Sequence, residues 1–307
     1  MNIDKLFESV SSKGHVCVGL DTAVEYVPPL EREKAKNDAE AVLAFNKALI
    51  ESTYDVCACY KVQIAYYEEM GLEGLKAFSE TLKYIRAKGC LAISDIKRGD
   101  IADTAVRYAK AHFGGDFETD FVTLNPYLGM DSIEPWLEEA EKKGKGAFIL
   151  MRTSNKGSQD FQYLNLSGNE NKQENSGGSH LDDCSSSRLY HKVGEKMSAL
   201  AQDHLGAHGY GAFGAVIGCT QREEAALIRQ KYPNLFFLIP GYGAQGGGAD
   251  DVTLLLREKN GGIVNASRSI ITAWKAVPGK VIDNEFAAAA ARKTTVKMRD
   301  EIYGAIK

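Results

Sequence analysis

Along this chain, short runs that are apolar throughout alternate with longer stretches whose apolar residues recur every three or four positions. The first pattern predicts a strand buried on both faces, and the second an amphipathic helix with one face on a core. His15–Asp21 (HVCVGLD) reads as strand one, and Asp38–Thr53 as a helix with apolar positions at Ala41, Val42, Phe45, Ala48 and Leu49. Val56–Gln63 is strand two with its helix at Leu75–Ala87, and Leu91–Lys97 is strand three with a helix from about Ile101 to His112. Phe121–Asn125 is strand four, followed by a helix near Ile133–Lys142, and Gly146–Thr153 is strand five. Ala212–Cys219, Leu235–Pro240 and Gly262–Ala266 complete the strands, with helices at Glu223–Lys231, at Val252–Lys259 and at the C-terminus. Eight strand–helix units predict an α/β protein, a closed (β/α)8 TIM barrel forming one domain over residues 1–307. A doubly wound parallel sheet is the alternative.

One segment breaks the rhythm. Ser154–Ser187 is polar and rich in Gly, Ser and Asn, without apolar periodicity, and about 155–187 is expected to be a partly disordered surface insertion. His180 and Cys184 within it are two lone potential metal ligands, too few to define a site.

Composition narrows the class. Hydrophobic residues at 44% and charged residues at 25% are those of a globular protein. A net charge of −4 with no Lys/Arg run argues against nucleic acid as a partner. No apolar stretch approaches the ~20 residues that cross a bilayer, and Met1–Gly14 is amphipathic without a signal peptide's apolar centre, so no membrane association and a cytoplasmic location are expected. Cysteines 17, 57, 59, 90 and 219 fall in or beside buried strands and Cys184 does not; structural thiols are the expectation.

The chemistry concentrates between Leu91 and Thr104 (LAISDIKRGDIADT). Asp95 and Lys97 are two apart at the end of a strand, which aims both side chains the same way. Gly99 breaks the strand, and Asp100 and Thr104, four apart, are expected on one face of the following helix. Lys61 ends strand two as Lys97 ends strand three, so two ammonium groups among Asp95, Asp100 and Asp21 are expected to meet in the barrel mouth. Such charges are costly to bury unless paired, which points to function. Gly241-Tyr-Gly-Ala-Gln-Gly246 matches G-x-G-x-x-G but opens the seventh unit and lacks the acidic ribose partner about 20 residues on, so a nicotinamide cofactor is excluded. In a barrel the loops after strands seven and eight bind phosphate; the glycine amides, Gln245 and Arg268 suit a dianion. His204 and His208, four apart on a predicted helix, lack a third ligand.

Asp-Ile-Lys-Arg-Gly-Asp-Ile-Ala-Asp-Thr (95–104) with Lys61 one strand earlier resembles the D-x-K-x-x-D-I-x-x-T signature of the orotidine 5′-phosphate decarboxylases. The likeness extends through Gly19-Leu20-Asp21, Tyr60-Lys61, Arg152-Thr-Ser-Asn155, Pro240-Gly-Tyr-Gly-Ala-Gln-Gly-Gly247 and Asn265-Ala-Ser-Arg-Ser-Ile270, with a seventh loop like that of the longer-chain, largely bacterial subfamily. The resemblance implies cofactor-free and metal-free conversion of orotidine 5′-monophosphate to uridine 5′-monophosphate (UMP) and CO2, the last step of de novo pyrimidine synthesis. It implies Lys97 as proton donor to C6, Asp95 beside the scissile carboxylate, Lys61 bridging to the ribose and Asp21 accepting from a ribose hydroxyl. It further implies Ser154 at the pyrimidine edge and Gln245 and Arg268 on the phosphate. Asp100, Ile101 and Thr104 would act across a homodimer interface. Two other readings stand beside it: a metal-dependent sugar-phosphate decarboxylase, which would carry an acidic ligand near Lys61, and a non-catalytic binder of a phosphoribosyl ligand.

Overall fold

The chain is described by a computed structural model covering residues 1–166, 187–219, 222–243, 246–277 and 282–306. Eight parallel strands close into a barrel in sequence order: β1 (Val16–Leu20), β2 (Cys59–Gln63), β3 (Leu91–Arg98), β4 (Phe121–Leu124), β5 (Gly146–Arg152), β6 (Phe213–Ile217), β7 (Phe237–Ile239) and β8 (Gly262–Ala266), with β8 pairing back onto β1. Every residue of β1, β4, β6, β7 and β8 is buried, because strand side chains face either the barrel interior or the helices outside. The (β/α)8 reading of the sequence holds, and the doubly wound sheet is excluded by closure.

The interior is layered. Cys17, Cys59, Ile93, Phe121 and Phe148 share one buried cluster with Val216, Leu238 and Ile263. Ile3, Leu6 and Val10, spaced three and four along the N-terminal helix Asn2–Lys13, pack into the same cluster and stop the bottom of the barrel. A strand period of two then dictates the next layer toward the carboxyl ends: Gly19, Lys61, Asp95, Thr123 and Leu150 stand two residues beyond Cys17, Cys59, Ile93, Phe121 and Phe148. The apolar layer therefore lies beneath the charged one, and chemistry is confined to the open end.

Helix Asp38–Thr53 stands where the periodicity predicts, begun by Asn37, whose side chain accepts the Glu40 N–H at 2.8 Å. Three expectations need correction. Strand two starts at Cys59 rather than Val56, because a turn donating Val56 N–H to Thr53 O occupies its first residues. The helix expected at Val252–Lys259 is a short turn at Ala249–Thr253: Asp251 accepts the Gly248 N–H at 2.8 Å and starts it early, and Glu258 and Lys259, both at positive φ, turn the chain into β8. His204 and His208 do not share a helix face. His204 ends helix Leu189–Asp203, and a tight turn through Gly206 and Gly209 (φ 75°) carries His208 away to stack on Phe7 at 4.1 Å.

Cys17, Cys57, Cys59, Cys90 and Cys219 are free and buried, whereas Cys184 and His180 lie outside the described residues. Among the described residues no helix is long and apolar enough to cross a membrane.

Candidate active site

Lys61 and Asp95, 4% and 5% exposed, sit in the upper interior layer on adjacent strands. The Lys61 Nζ donates to Asp95 Oδ2 at 2.9 Å and to Asp21 Oδ1 at 2.8 Å. The Lys97 Nζ donates to Asp95 Oδ1 at 2.6 Å, and the Thr123 hydroxyl donates to the same oxygen at 2.8 Å. Asp95 is thus saturated by two ammonium groups and a hydroxyl, and the two lysines meet at one carboxylate.

The electrostatics follow from this packing. Burial opposes the charged form of Asp95, but the Lys61 and Lys97 ammonium groups outweigh it and hold the carboxyl below the usual carboxylate range. Burial likewise works against the Lys61 ammonium, and Asp21 with Asp95 outweighs it, raising the group above the ordinary lysine value. Both groups are charged at neutral pH.

Asp95 and Lys97 face one another, although not through simple strand alternation. The β3–β4 register shifts between Ser94 and Arg98, and Lys97 adopts φ 44° in the left-handed region. Its N–H donates to Thr123 Oγ1 at 3.0 Å, so one threonine fixes both the lysine backbone and the aspartate it pairs with. A strained conformation held by such contacts is a recurrent property of functional positions. Thr123 escaped the sequence reading; its place two residues above the inward Phe121 was the available signal.

The array borders two adjoining cavities that share Lys61, Asp95, Lys97, Pro240 and Asn265. One, of about 350 Å³, is bounded by Leu150, Val216 and Leu238 on its apolar side and by Thr153, Ser154 and Asn155 at its rim. The other, of about 270 Å³, runs past Asp21 and Gln63 to Gly241, Tyr242 and Arg268. An apolar slot on one side of a charged centre and a polar slot on the other suits a ligand with a planar ring at one end and an anion at the other.

Gly19 leaves room for the eighth loop: a Cβ there would lie 1.9 Å from Ser267 Oγ. Gly241, Gly243 and Gly246 take φ of 101°, 70° and 92°, the conformational reason this loop is glycine-rich. Arg268 opens the short helix Arg268–Ile271, exposed, and pairs with no carboxylate among the described residues. Gln245, expected beside it, lies outside the described residues.

The expectation for Asp100 needs correction. It precedes helix Ala102–His112 rather than sharing a helix face with Thr104, because its Oδ1 accepts the Ile101 N–H at 2.9 Å and holds the chain extended at Ile101. Ile101 is 51% exposed and Thr104 is exposed, and neither lines the two cavities at the array of its own chain. Among the described residues no cluster of three or more His, Cys, Asp or Glu could hold a metal ion.

By fold and site this is a (β/α)8 barrel with an alternating Lys–Asp–Lys–Asp array at its mouth, next to a glycine-rich loop. The chain belongs to the orotidine 5′-phosphate decarboxylase / HUMPS family, which residues 14–277 match. It is similar to the orotidine 5′-phosphate decarboxylase of Clostridium perfringens (strain SM101 / Type A), with 52% identity over 306 residues that cover 100% of this chain and 99% of that one. The Clostridium acetobutylicum protein of the same name is 53% identical over 303 residues, covering 98% of this chain and 99% of its own. Among solved structures, Leishmania donovani OMP decarboxylase superposes with a TM-score of 0.71 at 29% identity, covering 99% of this chain and 98% of that one.

Proposed function

We propose that this chain carries out the reaction its relatives are named for, converting orotidine 5′-monophosphate to UMP and CO2 at the end of de novo pyrimidine synthesis. The observation that carries the reading is Asp95 held between Lys61 and Lys97 at 2.9 and 2.6 Å on the wall of a cavity with one apolar side.

Loss of CO2 from C6 leaves an electron pair that no ring carbonyl is placed to delocalise, so the site itself must stabilise it. A fixed ammonium supplies that stabilisation once bound substrate displaces water from the cavity, since charge interactions strengthen away from bulk water. Lys97 stabilises the carbanion and then protonates it; Asp95, paired with both lysines, keeps Lys97 oriented beside the departing carboxylate. The pyrimidine lies against Leu150, Val216 and Leu238 with its edge at Ser154, and Lys61 and Asp21 meet the ribose. Arg268 and the glycine amides, joined by Gln245, hold the phosphate. Phosphate binding remote from C6 lets the enzyme draw on binding energy to complete the site.

Asp100, Ile101 and Thr104 act on the partner's substrate in a cytoplasmic homodimer. Ile101 and Thr104 are exposed beyond β3 and none of the three residues lines the two cavities of its own chain, which supports that assignment. The metal-dependent alternative is disfavoured because the position that would bear an acidic ligand holds the Lys61 ammonium, which repels a cation. The test is to mix purified protein with orotidine 5′-monophosphate and follow the loss of absorbance, with and without a chelator. Turnover unaffected by the chelator is expected; binding without turnover, or activity that the chelator removes, overturns the proposal.

A further inference from the structure

The excursion after β5 has stems that engage the back of the cavity rim. Gln162, on the outgoing stem, grips Thr153 twice: its Oε1 accepts the Thr153 N–H at 2.8 Å, and its Nε2 donates to Thr153 Oγ1 at 2.8 Å. The Thr153 hydroxyl in turn donates to Asn155 Oδ1 at 2.6 Å. Ser154 lies between the two residues so fixed, and its backbone packs on Gly218, where a Cβ would stand 2.9 Å from Ser154 Cβ. Gln162 is itself anchored, its carbonyl accepting the Tyr190 N–H at 3.0 Å at the start of helix Leu189–Asp203.

A second contact closes the frame. Arg152, 1% exposed, donates to Glu224 Oε2 at 3.0 Å and to Gly218 O at 2.5 Å. The same carboxylate accepts from the Tyr163 hydroxyl at 3.1 Å and from the Arg188 guanidinium. Glu224 therefore gathers the outgoing stem, the returning stem and the residue just before Thr153-Ser154. A charge-assisted carboxylate with three donors is a strong anchor when partly buried.

We infer that Gln162 is a positioning residue for ring recognition, holding Thr153 so that Ser154 is presented to the pyrimidine edge. The inference rests on the proposed role of Ser154, and it gives the stems of the polar insertion a part in substrate selection. Gln162 touches no substrate; it acts through the two bonds to Thr153.

The test is a set of steady-state measurements on orotidine 5′-monophosphate, with equilibrium titrations by UMP and by ribose 5-phosphate, which lacks the ring. Gln162→Met is expected to raise KM and the UMP Kd about tenfold, the scale of losing two hydrogen bonds, with kcat at saturation and the ribose 5-phosphate Kd little changed. Gln162→Glu, which keeps an acceptor for the Thr153 N–H, recovers most of the loss. Thr153→Val deletes one of the two bonds to Gln162 together with the bond to Asn155 and moves the same quantities by at least about threefold. Added to Ser154→Ala, Gln162→Met has little further effect if it acts through Ser154. Equal weakening of ribose 5-phosphate, effects that add fully to Ser154→Ala, or unchanged KM in both Gln162→Met and Thr153→Val would overturn the inference alone. Unchanged KM and UMP affinity in Ser154→Ala would instead overturn the ring-edge assignment on which it rests, and the inference with it.

Discussion

Lys97→Ala separates catalysis from stability more sharply than any other change at this site. The Lys97 side chain is 47% exposed, and its ion pair with Asp95 is screened by solvent, so losing it costs about 1 kcal/mol or less of folding free energy. Asp95 keeps the Lys61 ammonium at 2.9 Å and the Thr123 hydroxyl at 2.8 Å and is not left buried without partners. The catalytic loss is of another order. Deleting an electrostatic stabiliser costs about 10²- to 10³-fold, and deleting a proton donor about 10²- to 10⁴-fold. Together these predict at least about a 10⁴-fold fall in kcat, or about 5.5 kcal/mol of transition-state stabilisation. The backbone supplies an internal control: because Lys97 has φ 44°, Lys97→Gly relieves strain that Lys97→Ala retains. Urea unfolding is expected to rank Lys97→Gly at or above Lys97→Ala, with both inactive in a spectrophotometric assay of orotidine 5′-monophosphate. Turnover within about tenfold of wild type in either variant would refute the assigned role, since that is less than either mechanism alone should cost.

Lys61→Met leaves the buried Asp95 without one of its two cations and is expected to cost about 3–5 kcal/mol in urea unfolding. The pH dependence has a definite sign. The folded Asp95 carboxyl titrates below its unfolded value of about 3.9, so its stabilisation is present above that pH and is lost as pH falls through the lower, folded value. Removing Lys61 lets burial raise that folded value, so the acid-unfolding midpoint followed by circular dichroism moves to higher pH. Lys61 itself titrates above its unfolded value of about 10.4, and its stabilisation is lost only as pH rises through the folded value; the alkaline limit of the wild type is expected to lie above that of Lys61→Met. Arg268→Ala should raise KM for orotidine 5′-monophosphate by at least about tenfold while leaving affinity for the nucleoside lacking phosphate nearly unchanged; equal effects on both remove the phosphate assignment. Mixing inactive Asp100→Ala with inactive Lys97→Ala should restore about a quarter of wild-type activity, because half of randomly exchanged dimers carry one intact site; no recovery after verified subunit exchange would place Asp100 in its own chain's site.

How far such a site can be read from sequence depends on which physical rule fixes each residue. The barrel was legible because strands buried on both faces leave continuous apolar runs, and Asp38–Thr53 was legible to the residue because its cap and its periodicity agree. That Lys61 joins this array followed from the closeness of neighbouring strand ends, although the register pairs Lys61 with Ile93 and Gln63 with Asp95 rather than aligning the two lysines. The Asp95–Lys97 contact was expected for an incomplete reason: the strand is bulged, and only the Thr123 bonds to both residues explain why they still meet. Asp100 was misplaced because a short carboxylate that captures the next N–H delays a helix, a local competition that apolar spacing does not register.

Gln162, Glu224 and the contacts of Arg152 were illegible for a different reason. Their contacts join residues up to 72 apart through a segment whose composition carries no period, so nothing local marks them. Gln162 bonds to Thr153, whose hydroxyl reaches Asn155, and Glu224 holds Arg152 just before them, at the rim of the half of the mouth lined by Leu150, Val216 and Leu238. The charged half of the mouth is set by side chains at the strand ends and by the bulge in β3 that Thr123 holds at Lys97. The half proposed to take the ring has its rim fixed by Gln162 and Tyr163 on the outgoing stem and Arg188 on the returning one. On the proposed reading, reaction chemistry rests on the Lys61–Asp95–Lys97 array and ring selection on the stem contacts behind Ser154. Substitutions in the stems should alter which ring is accepted before they alter how fast it reacts, whereas substitutions at Lys61, Asp95 or Lys97 should do the reverse.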